Sequence, residues 1–415
     1  MYNLPPMSKP TSFPDKLRII DFGYDLPENK IPRYPLEQRD RSKLLIWKKG
    51  ELKESIYANL PEFLPSHSTL VFNNSRVVEA RILFKKQSGG QIEVFCLEPH
   101  ASYPGISAAM KQQGKVLWTC LIGGASKWKH GQVLEKITGN IRLQARFIEK
   151  RISDFTVEFS WTPASDSFAE ILHQAGSIPL PPYLKRDAEI SDSERYQTLY
   201  AKEVGSVAAP TAGLHFSETL LDSLTVKGIY PIYLTLHVGA GTFMSVKTDR
   251  VSDHLMHKEY IEVNAETIET LISKIQKPVI AVGTTSLRTL ETLYWLGLQV
   301  SLNKKIQMSD LHLDQWFAYQ DHPDIPAAEA LGFLLDWLNK QPDKKLNTKT
   351  QLFIVPGYSF KLVHGLVTNF HQPYSTLLLL VAALAGPAWK SVYSYALEHD
   401  FRFLSYGDGC LFLPD

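Results

Sequence analysis

Residues Pro278–Gly297 read PVIAVGTTSLRTLETLYWLG, and their character changes twice along the stretch. PVIAV is a short β-branched run suited to a buried strand. GTTS is a small, hydroxyl-rich turn, and LRTLETLYWLG repeats its apolar positions at helical spacing. The same order recurs on either side. IYPIYLTLHV (Ile229–Val238) runs into Gly239, and LVTNFHQPYS (Leu366–Ser375) leads into the apolar LLLLVAALAG (Leu377–Gly386). Strands alternating with helices through small-residue loops predict an α/β fold. In such folds ligands collect beyond the carboxyl ends of the strands, so these loops are where chemistry is expected.

Upstream the period shortens to two. ARILFKK, QIEVFCLE, VLWTCLIGG, QVLEKI, IRLQARFIE and FTVEFSW are alternating runs split by Gly, Asn or Ser. That is the pattern of a compact antiparallel sheet or small barrel. The predicted architecture is therefore a barrel-like α/β main domain over residues 1–75 and 166–415, with an inserted all-β barrel over 76–165. Residues 299–350 are polar around one helix, PAAEALGFLLDWLNK, and are expected to form a surface excursion.

Composition narrows the function classes. The chain has 415 residues, 44% apolar and 21% charged, and its 44 basic and 43 acidic side chains leave a formal charge of +1. That balance excludes a broadly cationic nucleic-acid coat but leaves room for a local basic patch. Three cysteines without a C-x-x-C pair argue against a disulfide scaffold or a cysteine zinc site, and a cytoplasmic location is expected. The first residues, MYNLPPMSKPTSFPDK, lack the apolar core of a signal peptide. LLLLVAALAG is too short to span a membrane and reads as a buried helix.

Four loops carry the candidate residues. KEVGSVAAPTAGLHFSETLL (Lys202–Leu221) sets a run of small residues, with Thr211 and Gly213, before His215 at a helix entry. Small residues let backbone approach a ligand or a neighbouring strand closely. LHVGAGTF places His237 before Gly239, Gly241 and Thr242; it lacks the third glycine of a dinucleotide fingerprint. TNFHQPYST holds Asn369 and His371. GTTSLRT sets Thr284 and Thr285 at a helix start with Arg288 one turn in, a cradle for a carboxylate or phosphate. Each histidine alone reads more readily as a packing residue than as a functional one; three in equivalent loops shift the balance towards function. His254 and His257 in DHLMHKE could take a metal with a third ligand, but the spacing is not H-E-x-x-H.

Taken together, these segments resemble one family, the S-adenosylmethionine:tRNA ribosyltransferase-isomerases of queuosine biosynthesis. The resemblance rests on FGYDLPENKIPRYPLEQRDRSKLL, VFNNSRVVEARI, LPPYLKRDAEISDSERYQTLYAKEVGSVAAPTAGLHF, LTLHVGAGTF, DHLMHKEYIEV and VIAVGTTSLRTLET. It continues in PGYSFKLVHGLVTNFHQPYSTLLLLVAALAG and FRFLSYGDG. It implies a barrel-like α/β domain carrying an inserted β-barrel. It also implies transfer and isomerisation of the ribosyl part of S-adenosylmethionine onto 7-aminomethyl-7-deazaguanine at the tRNA wobble position.

The co-substrate would be S-adenosylmethionine, with no other cofactor and no metal. The partner would be the tRNA anticodon arm, with no membrane and no obligate protein partner. Under this resemblance His215 and His237 are the acid/base candidates. Thr211, Gly213, Gly239, Gly241, Thr242, Asn369 and His371 would line the pocket, while Thr284, Thr285 and Arg288 hold the methionine carboxylate. Arg76, Lys185 and Arg186 would meet RNA phosphates. The chain departs from the family pattern at Asn74, Met244, Tyr374 and His364. Those departures allow a divergent relative that uses another acceptor or binds RNA without turnover.

Overall fold

The computed structural model describes residues 16–414 apart from 87–88, 130, 152–153 and 244, with backbone alone for Thr242 and Phe243. The N-terminal stretch up to residue 15, Met244 and the side chain of Thr242 lie outside the described residues.

In chain order β1 (Lys43–Lys48), β2 (Glu51–Ile56), β3 (Thr69–Asn73) and the short β4 (Ser75–Val77) come first. Six strands of the insert follow: β5 (Arg81–Lys85), β6 (Gln91–Pro99), β7 (Lys115–Gly123), β8 (Leu134–Thr138), β9 (Ile141–Lys150) and β10 (Phe155–Thr162). The chain returns through β11 (Glu203–Ser206), β12 (Pro231–His237), β13 (Glu259–Asn264) and β14 (Val279–Val282). It ends with β15 (Lys345–Thr350), β16 (Gly365–Asn369) and β17 (Gly409–Leu413).

Nine strands form a mixed sheet in the order β15-β13-β12-β3-β14-β16-β17-β1-β2. Its centre, β12-β3-β14-β16, is parallel, so four carboxyl ends open on the same edge. β3, β14 and β16 are buried at every residue, as strands covered on both faces must be. This explains why PVIAV shows no alternation. By contrast β2, ELKESI, pairs on one side only and keeps its charges in water.

The six strands of the insert form a separate antiparallel sheet, β5-β6-β7-β10-β9-β8, curled towards a barrel. Its core gathers Trp118, Phe159 and Trp161 around Phe168. Phe168 sits on the helix Phe168–Ala175, fixed by a capping box between Ser167 and Glu170. The expected all-β domain inserted in an α/β scaffold is what the structure has, the insert taking the form of a near-barrel. A parallel two-stranded ladder, β4 with β11, leads from β3 towards the small-residue stretch that follows.

The surface excursion expected over 299–350 does not hold. Leu311, Leu313, Leu331, Leu334, Trp337, Leu338 and Leu346 are all buried in the main core. The helix Ala327–Leu338 crosses the helix Thr284–Leu302 closely: a Cβ on Gly297 would lie 2.0 Å from the Ala330 carbonyl oxygen. β15 then supplies one edge of the nine-stranded sheet. The polar residues of this segment face outward from elements whose apolar sides pack inward.

LLLLVAALAG is a core helix, Thr376–Ala385, capped by Ser375 and buried at Leu378, Leu379 and Val381. By length and composition alone Thr376–Glu398 could cross a membrane. It breaks at Gly386–Ala388, and its leucines belong to the core.

Candidate active site

The carboxyl ends of β12, β14 and β16 deliver Val238, Gly283–Thr285 and Thr368–Asn369 to one cleft. Its other walls are Ala208–Ala212, Tyr183, His371, Gln372, Ser375, Leu377, Leu404 and Ser405. Five sequence-selected residues therefore meet there: Thr211, Thr284, Thr285, Asn369 and His371. Gly283 has φ +87°, a left-handed conformation that turns β14 sharply into its helix and presents free N–H groups to the cleft. Behind Thr285 stands Asn73, fully buried, whose Nδ2 bonds the Leu236 carbonyl at 2.9 Å and the Thr285 hydroxyl at 3.3 Å. Sequence reading passed over Asn73, although it sits in the quoted VFNNSRVVEARI. The Tyr183–Ser405 pair (2.6 Å) was missed likewise, and it joins LPPYLKR to FRFLSYGDG.

The other predicted residues take different positions. His215 lies one residue behind the cleft. Its Nε2 meets Asn369 Nδ2 at 3.1 Å, and Asn369 Oδ1 accepts from Thr211 Oγ1 at 2.8 Å. The ring stacks on Tyr57, with centroids 4.4 Å apart, and opens on a small recess beside Arg39, Arg195 and Tyr406. Burial pushes His215 down to about 4, against an upward pull from Asp408, so the ring is neutral at physiological pH. His371 is bonded to Thr368 Oγ1 at 2.9 Å, and burial holds it at about 3. Its backbone is clamped by Tyr24, which donates to the carbonyl, and by Tyr393, which accepts from the N–H at 3.1 Å.

His237 turns away from the cleft. Its Nε2 faces Glu262 at 3.3 Å, and Glu262 also takes Lys345 and the hydroxyl of Ser107 from the insert at 2.8 Å. This network joins the two sheets. Burial alone would raise Glu262, but His237 and Lys345 outweigh it and hold the carboxyl at about 2, below its ordinary 4.5. A depressed carboxyl stabilises the fold fully above pH ~4.5 and loses that contribution as pH falls towards 2. Glu262→Gln is therefore expected to remove up to about 3 kcal/mol at pH 6 and progressively less below pH 4, read by urea unfolding at several pH values.

The glycines serve neighbouring side chains. A Cβ on Gly213 would lie 2.0 Å from the Tyr200 hydroxyl, and one on Gly241 would lie 2.7 Å from the His257 ring. Gly239 donates its N–H to Glu259 at 3.0 Å. GAGTF is thus locked to DHLMHKE, whose histidines lie off any helix: His257 covers Gly241, and His254 packs against Phe353. Among the described residues no three His, Cys, Asp or Glu side chains converge as a metal set.

Arg288 is buried and ion-paired with Glu259 in a recess next to the cleft. Of the three basic residues, Arg76 is exposed on β4, and Lys185 is half exposed, 2.9 Å from Glu28. Arg186 is committed internally. It grips Asp192 with both terminal nitrogens at 2.7 Å and stacks on Tyr34. Of the departures from the family pattern, the three among the described residues fall off the cleft. Asn74 bonds Thr235, Tyr374 packs on Gly23, and His364 accepts from the Val279 N–H at the opposite end of the sheet.

Comparison with known proteins yields two findings. Residues 19–412 match the queuosine biosynthesis protein family. A crystal structure of an S-adenosylmethionine tRNA ribosyltransferase from Thermotoga maritima is 26% identical. That comparison covers 95% of this chain and all of that one, with a TM-score of 0.45.

Proposed function

The chain belongs to the queuosine biosynthesis protein family, and from that premise we propose the reaction of its ribosyltransferase-isomerases. The ribosyl group of S-adenosylmethionine is transferred and isomerised onto 7-aminomethyl-7-deazaguanine at the tRNA wobble position. The products are epoxyqueuosine-tRNA, adenine and methionine. One observation carries the reading: three parallel-strand ends and the small-residue stretch enclose a single cleft, lined by Thr211, Thr284, Thr285, Asn369 and His371.

The sulfonium acidifies the adjacent 5′ carbon, so loss of a proton there gives an ylide. The C1′–N9 electron pair leaves with adenine, which gains a proton. The amine of the base attacks C1′ and sheds a proton. The C1′–O4′ bond then opens to an iminium, and the ylide carbon adds to C1′ to close a carbocycle. The freed oxygen attacks C5′ to form the epoxide as the C–S pair leaves with neutral methionine. A positioned acid or base is worth about 10²–10⁴ in such steps.

The cleft suits a cationic co-substrate. Ala208, Ala209, Pro210 and Ala212 offer flat, small-residue walls on which a nucleoside can lie. Burial keeps His371 and His215 uncharged, so neither repels the sulfonium. Thr284 and Thr285, with the N–H groups of the helix start and Arg288 beyond, suit the tail carboxylate. His371 touches the cleft and is the acid/base candidate; His215 positions Asn369. The departures at Asn74, Tyr374 and His364 leave these contacts intact, which favours the full reaction over a divergent one.

Arg76 and Lys185 are the proposed phosphate contacts, Arg76 on the ladder that runs into the cleft wall. Arg76→Ala is expected to weaken tRNA binding several-fold and to shrink the salt slope of log K by about 1. An unchanged slope removes Arg76 from the interface. The reaction itself is tested by incubating the chain with S-adenosylmethionine and tRNA bearing the aminomethyl base. Adenine and methionine should appear in equal amounts; no release, with co-substrate binding intact, would favour another acceptor.

A further inference from the structure

Thr284, Thr285 and Leu377 form a shared wall between the cleft and a second recess, lined by Met256, His257, Glu259 and Arg288 and closed by apolar side chains. Glu259 is 3% exposed and draws three groups together there. Its Oε2 meets the Arg288 guanidinium, its Oε1 accepts from the Gly239 N–H at 3.0 Å, and His257 Nε2 stands 3.3 Å away. All three partners are themselves tied to the loops that shape the cleft.

A buried Arg–Glu pair is a weak way to stabilise a fold, because desolvation of both charges offsets their attraction. Set against a ligand cleft, the pair has a property neither member has alone. Arg288 by itself would accept any carboxylate. With Glu259 beside it, an anion entering alone would displace a buried negative charge from its partner. A zwitterion avoids that cost, since it brings a positive group for the carboxylate as it brings a negative one for the guanidinium. We infer that Glu259 and Arg288 form the subsite for the zwitterionic end of the co-substrate's amino-acid tail, with Glu259 taking the α-ammonium. The inference rests on the ribosyl-transfer reading and adds to it a selection rule: the tail is accepted because it carries both charges. Specificity here comes from the penalty imposed on the wrong ligand as much as from contacts with the right one.

Calorimetric titration of the full chain tests this, using S-adenosylmethionine and its deamino counterpart, in which hydrogen replaces the α-ammonium. The unaltered chain is expected to bind the amino form about 10–100-fold more tightly. Glu259→Gln keeps the shape and removes the charge, and should bring the two affinities within about threefold of each other. Because that variant strands the Arg288 charge and could fail to fold, E259Q/R288M provides a neutral pair of similar volume, with folding checked by thermal melting. It should bind both forms weakly and alike. Equal binding of the two forms by the unaltered chain overturns this inference alone. So does discrimination that survives in either variant. Failure of the unaltered chain to bind either sulfonium removes the ribosyl-transfer reading and this inference together.

Discussion

Asn369→Ala is expected to lower kcat/KM by about 10²–10³-fold, the effect of deleting one preorganised polar group at a reacting centre. Asn369 joins the cleft to the buried histidine behind it: its Oδ1 takes the Thr211 hydroxyl, and its Nδ2 meets His215 Nε2. Removing it frees Thr211 to rotate and leaves His215 facing a void. The stability cost should stay near 1–3 kcal/mol, roughly that of one buried group left unpaired. Asn369→Asp separates geometry from chemistry. An aspartate offers only acceptors, so it confronts the Nε2 lone pair of a neutral His215 and favours protonation of the ring. Activity should fall and its pH profile should move as His215 begins to titrate near neutrality. A flat profile with full activity in the aspartate variant would remove this hydrogen-bonded chain from the mechanism.

The second large effect is structural. Glu291, fully buried in the helix Thr284–Leu302, gathers four donors. Oε1 accepts from the N–H groups of Leu362 (2.9 Å) and Val363 (3.0 Å), and Oε2 from the Tyr358 hydroxyl (2.8 Å) and the Lys361 N–H (2.9 Å). This carboxylate is what holds the approach to β16, the strand that ends at Asn369. Glu291→Ala strands all four donors away from water and should cost about 3–5 kcal/mol, seen as a lower urea midpoint. Glu291→Gln should cost less, because one acceptor oxygen survives while the amide N–H₂ faces donors. If the alanine variant unfolds within about 1 kcal/mol of the unaltered chain, water must be reaching these groups.

Glu291 also shows where sequence reading stops. Within LRTLETL it looks like a solvent-facing acid on an amphipathic helix, and its partners lie some seventy positions away in YSFKLVHG. The strand–loop–helix units were legible because burial on both faces leaves a local signature in PVIAV and its counterparts. The six alternating runs of the insert were legible for the complementary reason, one face apolar and one wet. The convergence of Thr211, Thr284, Thr285, Asn369 and His371 followed from the rule that strand ends share an edge.

Side-chain direction did not follow. His237 ends its strand as expected but points to Glu262, because pleat parity at the strand end depends on register against β13. Arg186 reads as available in the sequence, but Asp192 and Tyr34 engage its guanidinium. The segment 299–350 reads as polar because each of its elements buries only one side, and the burying partners are distant in sequence.

The most direct measurement follows the carbon atoms. The chain is supplied with aminomethyl-deazaguanine tRNA and S-adenosylmethionine labelled either in the ribose or in the S-methyl group, and the tRNA nucleosides are analysed by mass. Ribosyl transfer predicts the ribose label in the modified wobble nucleoside and the methyl label entirely in free methionine. Methyl label in the tRNA, or ribose label leaving as a free adenosine derivative, would contradict it.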